Sequence, residues 1–138
     1  MSRPKSIVET ARVCYRSGVY ANGQETFLCW DVTVQARSTG SNVAVSMVVA
    51  RANNWSNSWN WRHDWTMQLQ RQNSKKLWDT IGTRTGYLTG NSPSHRTFTN
   101  VKKTSYPLRL VVRFKNHYAG DNDPYSVKYY YSSSFYHY

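Results

Sequence analysis

The sequence predicts an all-β fold, a single-domain antiparallel β-sandwich of about eight strands. Three observations carry the prediction. Runs of alternating bulky and polar residues recur along the chain, broken by turn residues every ten or so positions. Tyr, Trp, Ser, Thr, Asn and Val dominate, while Glu occurs only as Glu9 and Glu25, a balance that disfavours helices. The 138 residues suit one core, and no internal repeat or composition shift marks a domain boundary within 1–138.

The first six residues form a short, flexible basic lead broken by Pro4. Ile7 to Tyr15 reads as a first strand with Ile7, Val13 and Tyr15 inward. Tyr20 to Gly23 is a turn, since Asn-Gly accepts the positive φ of tight hairpins. Thr26 to Ala36 is a second strand with Trp30, Val32, Val34 and Ala36 on one face. Phe27 is out of phase, which places a bulge near Cys29. Cys14 and Cys29 lie symmetrically about the Ala21-Asn22 step. A hairpin there would bring them face to face, and a cross-strand disulfide is expected. Closing a loop of that size would stabilise by roughly 3 kcal/mol and argue for an oxidising compartment.

Ser38 to Ser41 is a second turn. Asn42 to Ala52 follows with Val43, Val45, Met47 and Val49 on one face and Ala44, Ser46, Val48 and Ala50 on the other, so a central strand is expected. From Trp59 every second residue is bulky: Trp59, Trp61, His63, Trp65, Met67, Leu69. A helix would scatter these over both sides, whereas a strand collects them on one. Asn73 to Lys76 is a basic turn and Leu77 to Ile81 a short strand. Gly82 to Ser94, with three glycines and Pro93, reads as a long loop or small hairpin. His95 to Lys102 alternates weakly about Phe98. Tyr106 to Lys115 sends Leu108, Leu110, Val112 and Phe114 one way and Arg109, Arg113 and Lys115 the other. Asn116 to Pro124 is a loop. Tyr125 to Tyr131 is the last strand, with Tyr129 and Tyr131 expected in the core and Tyr130 facing away. The tail, Ser132 to Tyr138, fits no pattern uniquely.

Eighteen Lys and Arg against seven Asp and Glu give a net charge of +11. That field favours anionic partners, and because the cations are dispersed, any basic patch must be assembled by folding. No stretch is apolar enough for a membrane-spanning helix, and the first residues lack a signal-peptide core. Secretion is nonetheless expected from the paired cysteines.

Catalysis is not expected. His63, His95, His117 and His137 are scattered, and no nucleophile, phosphate-loop, dinucleotide or zinc motif occurs. His63 and Asp64 are neighbours on a strand and point apart. Asp121-Asn122-Asp123 lacks the later Glu of a calcium loop, so neither metal nor cofactor is expected.

Binding has more support. Trp55 and Trp59 lie among Asn and Ser in a loop-like stretch, where flat rings with polar neighbours suit sugar faces, nucleobases or a lipid boundary. Trp55, Trp59, Arg62, Tyr118 and Tyr130 are the candidate ligand contacts, and Arg51, Arg71, Lys75 and Lys76 the candidate basic face. The expected function is non-enzymatic recognition of a cell surface through an anionic glycan, polymer or lipid. The alternatives are a pore-forming toxin that oligomerises on membranes, and a nucleic-acid-binding or capsid-like protein. The Tyr-rich C-terminus is a candidate homo-oligomer contact.

Overall fold

The period-two patterning resolves into eight strands, and no helix occurs among the described residues. The computed structural model describes the backbone of residues 4–19, 25–51, 61–88, 94–118 and 126–138, and the side chains of 4–12, 31–48, 64–87, 94–115 and 127–138. The strands are β1 (Ser6–Val19), β2 (Glu25–Thr39), β3 (Asn42–Arg51), β4 (Trp61–Gln72), β5 (Trp78–Leu88), β6 (Ser94–Thr99), β7 (Leu108–Tyr118) and β8 (Ser126–Tyr131). They form two antiparallel sheets of four, in the orders β1-β2-β3-β6 and β5-β4-β7-β8.

The strands with the cleanest alternation occupy the centres. Val32, Val34 and Ala36 of β2 and Val43, Val45 and Met47 of β3 face Trp65, Met67 and Leu69 of β4 and Leu108, Leu110, Val112 and Phe114 of β7; all are buried. Each Val, Leu, Met or Phe among them contributes about 1.5–3 kcal/mol on burial, so this interdigitated layer dominates the stability. β3 is central, between β2 and β6, as its two apolar faces predict.

Turn chemistry matches the sequence. Thr39 pairs with Asn42 across a two-residue loop in which Gly40 takes φ 49°, the conformation a tight hairpin asks of its first residue. Between β4 and β5, Asn73 Oδ1 accepts hydrogen bonds from the backbone N–H of Lys75 (2.9 Å) and Leu77 (3.1 Å), and Lys76 takes φ 65°.

Three expectations are corrected. The register shift in the first hairpin falls between Arg16 and Gly18 and not at Cys29; Cys14 and Cys29 are direct register partners, their side chains lying outside the described residues. Gly82 to Leu88 is not a loop but the continuation of β5. A Cβ on Gly82 would lie 2.8 Å from Phe98 Cδ1, and one on Gly86 2.4 Å from Trp65 Cζ2. These glycines therefore mark close ring packing against an edge strand.

In β8 the faces are exchanged. Tyr129 and Tyr131 are 58% and 57% exposed, and Tyr130 turns inward against the core. Its hydroxyl donates to Glu9 of β1, whose carboxylate also accepts from the Ser133 N–H at 2.9 Å. This seam joins the edge strands of the two sheets. Burial works against the Glu9 charge, but the bonds from Ser133 and Tyr130 outweigh it and hold the carboxyl below its usual range. Burial, then the Glu9 hydrogen bond and its charge, raises the Tyr130 phenol.

Finally, the tail is part of the fold. Phe135 is fully buried and exchanges two backbone hydrogen bonds with Leu108, at 2.7 and 2.9 Å. The Tyr136 N–H then reaches the Pro4 carbonyl (2.8 Å), so the tail crosses from one sheet to the other. His137 is 1% exposed, with Nδ1 hydrogen-bonded to Ser38 Oγ. Burial depresses its pKa; the Val101 carbonyl pulls the other way, and Lys103, Arg71 and Lys5 add to the depression. The imidazole is therefore neutral at pH 7.

Candidate functional site: an aromatic and basic sheet face

The register of the β5-β4-β7-β8 sheet sets the pattern of its outer surface. Positions between the inward residues line up in cross-strand rows: Tyr87, Asp64, Lys115 and Val127; then Thr85, Thr66, Arg113 and Tyr129; then Thr83, Gln68, Val111 and Tyr131; then Thr80, Gln70 and Arg109; and last Trp78 beside Gln72. From Asp64 to Gln72 the face is about 27 Å long at the usual strand rise. Polar amides and hydroxyls fill its β4 and β5 side, cations its β7 column and tyrosines its β8 border.

Arg109 is the hinge between these groups. Its guanidinium lies 4.4 Å from the Trp78 ring centroid and 5.2 Å from that of Tyr131. Tyr131 in turn stacks with Tyr129 at 6.4 Å and 19° between planes. Each cation–π contact is worth about 0.5–1 kcal/mol at such exposed positions. Two rings, one planar cation and a third ring thus make a continuous flat strip.

The polar partners are ordered beforehand. Arg109 Nε donates to Gln70 Oε1 at 2.9 Å, and Gln70 Nε2 donates to Thr80 Oγ1 at 3.2 Å. Such fixed donors and acceptors lose little entropy when a ligand engages them. Beside the strip a depression of about 180 Å³ is lined by Thr66, Gln68, Val111, Arg113 and Tyr129. Val111 forms its buried apolar floor. Arg109, Arg113 and Lys115 against the single carboxylate Asp64 give the face a positive balance.

The arrangement can hold a flat, partly apolar, partly hydroxylated ligand carrying negative charge. Among its described residues no nucleophile stands beside a base. The Ser38–His137 pair is hydrogen-bonded, but the imidazole is buried in the tail contact. Among the described residues no three His, Cys, Asp or Glu side chains come together as metal ligands.

The residues expected from sequence are distributed differently. Trp55 and Trp59 lie outside the described residues. Arg51, Arg62 and Tyr118 have described backbone only; Tyr118 is the register partner of Trp61, and Arg62 that of His117. Tyr130 points into the seam with Glu9, so it is not a surface contact. Of the expected basic face, Arg71 stands near the end of β4, while the side chain of Arg51 lies outside the described residues. Lys75 and Lys76 are exposed in the β4–β5 turn, while Arg71 turns inward and is half-buried.

Sequence reasoning missed Trp78, Tyr129, Tyr131 and the pairing of Arg109 with Gln70. The outward assignment of Arg109 and Arg113, and the polar residues alternating with the bulky ones from Trp59 to Leu69, held the signal. What was lacking was the β4–β7 register that brings them together. The chain matches no protein-family model, no curated protein and no solved structure.

Proposed function

We propose that this β-sandwich is a non-enzymatic binding module that takes an extended, negatively charged glycan of a cell surface across its β5-β4-β7-β8 face. The observation that carries the reading is the strip Trp78, Arg109, Tyr131 and Tyr129 beside an ordered Gln and Thr ladder. Flat rings cover the apolar faces of sugar rings, the amides and hydroxyls meet their hydroxyls, and Arg109 and Arg113 meet acidic substituents. The contacts a ligand would make thus lie on the sheet itself.

A cell-surface role implies secretion, and the register pairing of Cys14 with Cys29 supports a disulfide formed in an oxidising compartment. Thiol counting on the denatured protein, with and without reductant, checks this: two thiols should appear only after reduction.

Binding is tested on an array of neutral, carboxylated and sulfated glycans with anionic lipid and single-stranded nucleic acid spots, at low and moderate salt. Retention on acidic glycans, weakened by salt and lost in a Trp78→Ala, Tyr131→Ala double variant, supports the proposal. Dye release from liposomes would instead favour a membrane-active toxin. Strong, steeply salt-dependent retention on nucleic acid alone would favour the nucleic-acid alternative, because stacked rings and arginines also serve bases.

A further inference from the structure

We propose that the cleft between β5 and β6 is a second binding site, for one tetrahedral oxyanion — a sulfate or phosphate group — held by Arg71, Arg84 and Lys102. It is a different surface from the exposed sheet face, and the proposal stands whether or not that face binds glycan.

β5 and β6 are the edge strands of opposite sheets, so their inward positions meet at an open side of the sandwich. At the matching side, β1 and β8 are sewn together by Glu9, Tyr130 and Ser133. Among the described residues the β5–β6 side has no such acid. Arg84 lies over the Phe98 ring at 4.6 Å and Arg96 over the Trp65 ring at 5.0 Å. Between Arg84 and Arg71 opens a cavity of about 250 Å³, lined also by Leu69, Phe98 and Lys102, with no carboxylate in its wall. One water needs only roughly 10–15 Å³ of such space.

The donors in this cavity are largely unspent. A guanidinium carries five N–H bonds in a fixed fork. Arg71 uses Nη2 on the Lys102 carbonyl, which fixes its plane, and its Nε is buried with no acceptor. Arg84 uses Nη1 on the Thr83 carbonyl at 2.9 Å. Burial pushes the Arg71 guanidinium down from its usual range, as expected for a cation without a counter-charge. Two guanidiniums about an apolar floor, with the exposed Lys102 at the rim, repel one another. An oxyanion in the centre removes that repulsion and supplies acceptors for guanidinium N–H groups that no protein acceptor takes, and two arginine forks suit its several oxygens better than a single point charge would. The room for Phe98, and so for the Arg84 stack, exists because Gly82 has no Cβ. Asn100, at φ 59°, turns the chain to bring Val101 and Lys102 over the opening.

The test is an NMR titration of the intact protein with sodium sulfate and with sodium phosphate, at ionic strength held constant with sodium chloride. Saturable shifts of the Gly82, Asn100 and Val101 amides, absent from Thr33 and weakened at least tenfold in both Arg84→Gln and Lys102→Gln, support the site. Lys102 is exposed, so its variant reports even if Arg84→Gln folds poorly. Linear, chloride-like shifts, or shifts undiminished in a folded Lys102→Gln and Arg84→Gln pair, would overturn it. Glucose 6-sulfate and glucose 6-phosphate then separate the sources. Tighter saturation by the first supports the site as a reader of sulfated sugars, and by the second as a reader of phosphorylated ones; saturation by neither sugar nor inorganic ion overturns it.

Discussion

The two outer faces of the sandwich are built on the same strand geometry and differ in almost everything else. The β1-β2-β3-β6 face presents Val8, Thr10, Arg12, Asp31, Thr33, Gln35, Ala44, Ser46, Val48 and His95. Arg12 and Asp31 offset each other, Arg12 Nε lying 2.9 Å from the carboxylate in a bond that lowers the Asp31 carboxyl and raises the Arg12 guanidinium, which leaves Arg37 as the remaining arginine of this face among the described residues. Thr10 and Thr33 satisfy each other at 3.0 Å. The β5-β4-β7-β8 face instead holds large rings and arginines whose order depends on stacking. A surface needs only small polar and β-branched residues to stay soluble on a strand. On the proposed reading the open rings and cations serve a ligand, and the plain face is the internal control.

The largest expected effect concerns that contrast. Removing Trp78 and Tyr131 together should weaken glycan binding by about a hundredfold, roughly tenfold per ring, on the scale of about 1–3 kcal/mol per stacked ring. Melting temperature should fall by only a few degrees, since the pair also removes the two cation–π contacts of Arg109, about 1–2 kcal/mol together. The matched pair Thr33→Ala and Val48→Ala on the plain face should leave binding as it was. Equal losses from both pairs would show that the faces do not differ in function.

Next in size is the packing beneath the rings. Gly86→Ala should destabilise by about 1–3 kcal/mol in a denaturant titration, because the new methyl overlaps Trp65 and Arg96. Tolerance without loss would mean that β5 is not held where its outer face requires.

pH offers a subtler contrast between interior and surface. The His137 pKa is lowered by burial, so the unfolded chain binds more protons than the native one below pH 6.5. Stability should fall as pH drops through and below 6.5, and His137→Gln should remove that limb. The Glu9 carboxyl is also lowered, so its contribution is present above pH 4.5 and is lost as pH falls below that value. Glu9→Gln should cost about 1 kcal/mol at pH 7, discounted for partial exposure, and flatten the acid side of the profile. The smallest effect is Thr33→Ala alone, expected within about 0.5 kcal/mol of the parent.

Much of the architecture was legible from residue order. Alternation in Trp65 to Leu69 and Leu108 to Phe114 named the core of one sheet, and Val43 to Met47 the centre of the other. It failed where both faces of a strand carry the same residue type. In β8, Tyr129, Tyr130 and Tyr131 give a period without saying which phase is inward. The acid that selects Tyr130 lies 121 positions away, at Glu9. In β5, glycines that accommodate rings look locally like loop residues. The candidate face was half legible. Its polar residues were assigned to wet faces, but a site assembled from Trp78, Gln70, Arg109 and Tyr131 needs three strand pairings that no local pattern contains. The tail stayed ambiguous because Phe135 and His137 pack by crossing between sheets, not by joining either.

The most direct test of the account is to map an acidic oligosaccharide onto the protein by amide shifts. Perturbations should cluster at Thr66, Gln68, Arg109 to Arg113 and Tyr129 to Tyr131, and be absent at Val8, Thr33 and Ser46. Shifts confined to the β1-β2-β3-β6 face, or saturating binding that leaves the Trp78 and Tyr131 signals unmoved, would contradict it.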